Sequence, residues 1–292
     1  MIEESFENGK KLIVAESAGF CFGVQRAIDT VYAQIETGKK IYTYGEIIHN
    51  EEVVQDLENK GVVVIHGLDD IDGKEPGTVI IRSHGVEKKV YDTLQSKGFE
   101  IVDATCPFVL KIHRIVERES GNGNQVVIIG DGKHPEVQGI CGWSSTAPVT
   151  IDTKEEAEHF ASNGVTPISV VSQTTFNSKK FKEFVEIIEK KGYNTTVSNT
   201  ICNATEERQA EARSISRIVS AMVVIGGAKS SNTRKLYEIC KKECPKTYLI
   251  QTFANLDLSE LVKEDSIGIT AGASTPNYII EEVISNVRAE FR

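Results

Sequence analysis

A cysteine that follows a short apolar run and precedes a helix-like segment occurs three times in this chain. Leu12-Ile13-Val14 leads over a small-residue loop to Cys21, Ile101-Val102 leads through Asp103-Ala104-Thr105 to Cys106, and Thr195-Thr196-Val197 leads to Cys202. His49, His134 and Ser230 stand at one common offset from these cysteines, since 49−21, 134−106 and 230−202 all equal 28. Each also stands four residues after a glycine that closes an apolar run: Gly45, Gly130 and Gly226. A further strand-like run precedes each of the polar loops Arg82-Ser83-His84-Gly85, Ser172-Gln173-Thr174-Thr175 and Ala271-Gly272-Ala273-Ser274. Such self-similarity constrains a fold strongly, because each copy has to build the same supersecondary unit.

Within each copy, strand-like and helix-like segments alternate, which predicts an α/β fold with parallel sheets covered by helices. The expected architecture is three tandem pseudo-equivalent α/β units, 11–100, 101–194 and 195–292, arranged pseudo-threefold around a central site. Val24, Ala27, Ile28, Val31 and Ile35 recur at helical spacing with Gly38 as the stop. A helix over Lys88–Lys97 ends at Gly98, and another starts at Pro107, where the missing N–H has no helical partner to lose. Phe181, Phe184, Val185 and Ile188 form the buried face of a helix that stops before Gly192. Ile215, Ile218 and Val219 supply an apolar face in the third copy, and a helix over Ile279–Phe291 closes the chain.

Loops at the carboxyl ends of parallel strands form the ligand site in open α/β sheets. That rule groups Cys21, His49 and His84 in the first copy, Cys106, His134 and Thr174 in the second, and Cys202, Ser230 and Ser274 in the third. The 292 residues, 40% hydrophobic and 26% charged, suit a soluble globular protein, and a net charge of −9 argues against a nucleic-acid surface. The first ten residues are polar and acidic, and no segment reaches membrane-spanning length, so a cytoplasmic protein without membrane partners is expected. In a reducing compartment, six cysteines are thiols or metal ligands rather than disulfides.

Helix N-termini favour the thiolate, the form that binds metal. Any one of the three cysteines alone reads as a packing residue; the repeated placement argues for ligands. Three thiolates hold a cluster or a single ion but leave one position short of four, so a four-iron cluster would keep one iron open, whereas a structural zinc site is closed. Cys141, Cys240 and Cys244 have no counterparts and read as packing or surface thiols.

His49-Asn50, His134-Pro135-Glu136 and Ser230-Ser231-Asn232 fall at expected helix starts, where free N–H groups and the helix dipole attract anions. With His84 and Ser274 they offer donors to a small phosphorylated ligand; the plainer reading of each is a helix cap. Glu136 is the one carboxylate in these equivalent loops. Enclosed, it can act as a proton donor with a raised pKa; otherwise it is a first-turn glutamate favoured by the dipole. Thr174 can bond the ligand or relay a proton. Three functions remain open on this chemistry: a reductase, a cluster-bearing sensor or carrier without turnover, and a hydro-lyase that uses the open iron without redox change.

The motifs GFCFGV (19–24), IIHN (47–50), RSHGV (82–86), DATCPFV (103–109) and HPEVQG (134–139) together resemble 4-hydroxy-3-methylbut-2-enyl diphosphate reductase, the IspH/LytB family. SQTT (172–175), ICNAT (201–205), SSN (230–232) and TAGAS (270–274) extend the resemblance from about Leu12 to the C-terminus. It implies that Cys21, Cys106 and Cys202 ligate one 4Fe-4S cluster with an open fourth iron. It further implies a diphosphate site of His49, His84, His134, Ser230, Ser231, Asn232 and Ser274, with Glu136 as proton donor and Thr174 beside the substrate hydroxyl. The implied reaction is reductive dehydroxylation of an allylic diphosphate to isopentenyl and dimethylallyl diphosphates. No nicotinamide or flavin fingerprint is evident, so an electron donor such as ferredoxin or flavodoxin is expected, with the enzyme a monomer or weak homodimer. Asp131-Gly132-Lys133 stands where some members carry Gly-His, and Asn203 where others carry an aromatic residue.

Overall fold

The computed structural model describes residues 1–291. Strands β1 (Ile2–Ser5) and β2 (Lys11–Val14) lead to α1 (Phe22–Ile35), β3 (Ile41–Tyr44), α2 (Glu51–Asn59), β4 (Val63–Ile65), β5 (Thr78–Ile81), α3 (Lys88–Ser96) and β6 (Glu100–Asp103). The middle of the chain forms α4 (Pro107–Gly121), β7 (Gln125–Ile129), α5 (Pro135–Cys141), β8 (Val149–Ile151), α6 (Lys154–His159), β9 (Ile168–Ser172), α7 (Ser178–Glu189) and β10 (Thr195–Val197). The last part is α8 (Asn203–Ser216), β11 (Ala221–Ile225), α9 (Ser231–Glu243), β12 (Thr247–Ile250), α10 (Leu258–Leu261), β13 (Ser266–Ala271) and α11 (Asn277–Phe291). Each repeat cysteine is the residue immediately before a helix: Cys21 before α1, Cys106 before α4 and Cys202 before α8.

Local chemistry explains the helix limits. α4 opens on Pro107, buries Val109, Ile112 and Val116 along one face and carries Arg118 in its last turn, where a cation suits the dipole. α7 is capped by Asn177, whose side chain accepts the N–H groups of Lys179 and Lys180, and Phe181, Phe184 and Ile188 are its buried face. Each fully buried side chain of that size contributes roughly 1.5–3 kcal/mol.

The chain divides into two compact units, one of Met1–Phe22, His49–Val53 and Asn203–Arg292, the other of Gly23–Ile48 and Val54–Cys202. The first contains a five-stranded sheet in the order β1-β2-β13-β11-β12, parallel except where β1 pairs antiparallel with β2. The second contains two four-stranded parallel sheets, β4-β3-β5-β6 and β10-β9-β7-β8. All five residues of β9 and of β11 are buried, as parallel strands covered on both faces require.

The strand before each cysteine does not join the strands of the segment that directly follows it. β6 pairs with β5, β10 with β9, and β2 with β13. The sequence repeats 11–100, 101–194 and 195–292 are therefore offset by one strand from the sheets. Helix α3 is the crossover that connects β5 to β6, and α7 the one that connects β9 to β10.

One strand precedes the three repeats, and one residue expected on an apolar face, Ile218, lies outside it. The polar N-terminal lead contains β1, held by its register from Ile2↔Val14 to Ser5↔Lys11; it is too exposed to show apolar alternation. Ile218 is 59% exposed, because α8 ends at Ser216 and the chain has turned outward. The buried face of α8 includes Thr205, Arg208 and Gln209, a polar surface that no apolar period would reveal.

Candidate functional site

The three cysteines share one backbone arrangement. Cys106 N–H donates to Ser83 O at 3.0 Å, Cys202 N–H to Thr174 O at 3.0 Å, and Cys21 N–H to Ala273 O at 3.3 Å. Each cysteine loop is thus tied to the polar loop that follows the central strand of its own sheet. The strand register sharpens the comparison: Ile81, Ser172 and Ala271 pair with Tyr44, Ile129 and Ile225 respectively. Counting forward, Ser83, Thr174 and Ala273 correspond, and so do His84, Thr175 and Ser274. Thr175 rather than Thr174 is therefore the counterpart of His84 in the second copy, one residue on from the expected grouping with Cys106 and His134.

In the second compact unit, α5 begins at the HPE motif. Pro135 takes its first position, and His134 is the cap, its Nδ1 accepting the Glu136 N–H at 3.1 Å. The capping reading and the site reading are therefore compatible, since one ring nitrogen caps while the other remains a separate group. His84 meets His134 edge to face, with centroids 5.4 Å apart. Glu136 is only 2% exposed. One of its carboxyl oxygens accepts the Thr174 N–H at 2.6 Å and the other the Thr174 hydroxyl at 2.7 Å. Burial pushes its pKa up to about 7, against the opposing pull of the two Thr174 bonds. A carboxyl held near neutrality is suited to proton transfer.

The first compact unit holds Cys21, His49, Ser230, Ser231, Asn232 and Ser274. Ser230 caps α9, its side chain accepting the Thr233 N–H at 3.4 Å. At α2 the cap is Asn50 rather than His49, since its Oδ1 accepts the Val53 N–H at 3.1 Å. Ser274 donates its hydroxyl to His49 O at 3.2 Å. Gly227 lies so close to the same carbonyl that a Cβ on it would be 3.0 Å away. Asn232 is 4% exposed, yet neither its amide nitrogen nor its amide oxygen has a hydrogen-bond partner among the described residues. A buried amide left unpaired is costly unless a ligand completes it.

Two arginines near the cysteines were not singled out by sequence. Arg26, on α1, donates to Thr105 O at 3.1 Å and Asp103 O at 3.2 Å, the approach to Cys106. Arg208, on α8, donates to Ala271 O at 2.8 Å and Gly19 O at 3.0 Å, the approach to Cys21. Each follows a cysteine by five or six residues (26−21 and 208−202), a spacing that could have drawn attention to them. Gly23 has a comparable role: a Cβ there would be 2.5 Å from Cys106 Sγ. Cys21, Cys106 and Cys202 form no disulfide and are of intermediate exposure, whereas Cys240 and Cys244 are buried, with burial raising the thiol pKa of both.

The family described as LytB protein matches residues 12–288. The chain belongs to the LytB family. Among its relatives is the 4-hydroxy-3-methylbut-2-enyl diphosphate reductase of Thermoanaerobacter sp. (strain X514), 47% identical over 95% of this chain and 96% of that protein. A solved structure titled as (E)-4-hydroxy-3-methyl-but-2-enyl diphosphate reductase, the terminal enzyme of the non-mevalonate pathway, is 38% identical with a TM-score of 0.68. It covers 95% of this chain and 99% of its own. The E-1-hydroxy-2-methyl-but-2-enyl-4-diphosphate reductase from Plasmodium falciparum is 28% identical with a TM-score of 0.88, covering 96% of this chain and 87% of its own. This chain has an α/β fold with three parallel-strand sheets, consistent with the three tandem copies in its sequence. No helix among the described residues is long and apolar enough to cross a membrane.

Proposed function

We propose that this chain reductively removes the hydroxyl of (E)-4-hydroxy-3-methylbut-2-enyl diphosphate, giving isopentenyl diphosphate and dimethylallyl diphosphate in the non-mevalonate route to isoprenoids. The observation that carries the mechanism is Glu136, an enclosed carboxyl bonded at both oxygens by Thr174 and titrating near pH 7. Two electrons and two protons enter: the carbon–oxygen bond breaks, the hydroxyl leaves as water with one proton, and the allylic skeleton takes the other.

Cys21, Cys106 and Cys202 are assigned as ligands of one 4Fe-4S cluster with an open fourth iron. The donor set fits: three cysteines outside any disulfide stand at helix starts, and at Gly23 the absent Cβ leaves the Cys106 sulfur room. Such a cluster, when bound, supplies electrons and a Lewis-acidic iron for the hydroxyl. His49, His84, His134, Ser230, Ser231, Asn232 and Ser274 hold the diphosphate, and Thr175 is assigned to the same set because it corresponds in register to His84 and Ser274. Their fixed donors keep the reacting carbon in place. Asn232 supports this role because its buried amide lacks a partner among the described residues. Thr174 orients Glu136 and stands beside the leaving hydroxyl.

Electrons come from a small carrier such as ferredoxin or flavodoxin, and the enzyme works in the cytoplasm as a monomer or weak homodimer. The deciding experiment is anaerobic turnover of the hydroxylated allylic diphosphate with an artificial reductant. Both isomeric products should form in proportion to reductant consumed. Product formation without electrons, or purified protein containing stoichiometric zinc and no iron, would overturn the assignment.

A further inference from the structure

The loop carrying His84 is gripped through Gly85 and Val86 by residues that the reaction does not use. Trp143, just beyond α5, donates its indole N–H to Val86 O at 2.9 Å. Its ring stacks on His113 of α4, with centroids 5.0 Å apart and planes 17° from parallel. His113 in turn lies against Gly85: a Cβ on that glycine would be 2.6 Å from His113 Cε1 and 3.1 Å from Thr105 Cγ2. Gly85 has φ +71°, so its backbone suits glycine for a conformational reason as well as for space.

The same loop meets α5 through two further glycines. A Cβ on Gly139 would be 3.4 Å from the Gly85 carbonyl, and one on Gly142 would be 2.4 Å from Glu87 Cβ. Three glycines thus let the His84 loop and the helix of His134 and Glu136 pack backbone to backbone. At the other end, Cys106 N–H holds Ser83 O. Between Ser83 and Val86 the loop has little freedom except where His84 projects.

We infer that Trp143, seated on His113, is a positioning residue that fixes His84 against His134 for binding the substrate diphosphate. The inference rests on the anion-binding assignment of His84 and His134 made above. His113 is a singular backing group. It is 1% exposed, and neither ring nitrogen has a hydrogen-bond partner among the described residues. Burial pushes its pKa down to about 4, with Asp103 pulling the other way, so it stays neutral at working pH. A neutral, flat ring gives Trp143 an apolar seat; it brings no charge next to the anion-binding imidazoles. Unpaired buried nitrogens carry a cost, which is expected where a side chain is kept for its shape.

Trp143 is the single tryptophan of the chain, so its emission reports this contact alone. Inorganic diphosphate added to the anaerobic holoenzyme should change that emission saturably. In Trp143→Phe the ring on His113 is kept and the N–H to Val86 is lost. Diphosphate, followed by calorimetry, should bind about fivefold to tenfold more weakly, the size of one lost hydrogen bond. KM for the allylic substrate should rise by a similar factor, with kcat and iron per chain unchanged. His113→Ala, which removes the seat and keeps the donor, should shift both constants in the same direction. Wild-type affinity and KM in Trp143→Phe would overturn the positioning role, as would a loss confined to kcat or to iron content. If the wild-type holoenzyme itself fails to bind diphosphate, the anion-site assignment falls, and this role with it.

Discussion

The two compact units carry equivalent loops with different chemistry. In one, the loops after the central strands present His84, His134, Glu136 and Thr174, groups that can move protons. In the other, His49, Ser230, Ser231, Asn232 and Ser274 occupy the corresponding places, one imidazole among small hydroxyls and an amide, with no carboxyl in the set. A common backbone thus carries an enclosed carboxyl, Glu136, in one unit and a set of hydroxyls and an amide, with His49, in the other. The difference teaches that register identifies where a ligand is met, while side-chain type and burial identify what is done to it.

The largest effect tests what the two sets have in common. Cys106→Ser should abolish cluster binding and turnover, measured as iron and sulfide per chain and by the brown absorption of anaerobically purified protein; an intact cluster would remove Cys106 as a ligand. Gly23→Ala should come next, since its Cβ would press on the Cys106 sulfur at 2.5 Å. Iron content should fall severalfold while the far-ultraviolet dichroism is retained.

The contrast itself is tested by a pair of variants. Glu136→Gln should lower kcat by ~10²–10⁴ with KM little changed, as expected for loss of a proton donor. Asn232→Ala should instead weaken substrate binding by about tenfold, the size of a lost bond to a charged group, with kcat nearly intact. Because the unpaired amide is removed, the ligand-free Asn232→Ala protein should melt no lower than wild type. A large fall in kcat for Asn232→Ala would erase the contrast between the carboxyl of one unit and the amide of the other.

The remaining effects concern pH. Glu136 has a folded pKa of about 7, above its ordinary value of 4.5, so folding takes up a proton between these values. Its stabilising contribution is complete below pH 4.5 and is lost as pH rises through 7. Glu136→Gln should therefore gain on wild type by up to roughly 3 kcal/mol between pH 5 and 8, read from denaturant midpoints. Turnover in wild type should fall above pH 7 as the proton donor is deprotonated. His113 has the opposite sign: its folded pKa of about 4 lies below the ordinary 6.5, so its contribution is complete above pH 6.5 and is lost as pH falls toward 4. An acid limb of stability absent in His113→Ala would confirm the assignment.

Much of this was legible in the chain. The offset of 28 residues marked the three repeats, and the helix starts after Cys21, Cys106 and Cys202 followed from composition alone. Such features are local: caps, prolines, glycine stops and buried runs act within a few residues. The polar face of α8 with Arg208, the exposed place of Ile218 and the strand β1 were not legible, because each depends on what another segment covers.

By itself the sequence determined the α/β alternation, the threefold recurrence and the residue types at the strand ends, since these depend on short-range periodicity and on which atoms a side chain carries. Only the tertiary structure decided that the strand before each cysteine joins the preceding sheet or closes the chain on itself, that Thr175 rather than Thr174 answers to His84, and that Thr174 encloses Glu136. Strand pairing and burial are set by contacts between residues far apart in the chain, and the energies that select them exist only once those segments have met.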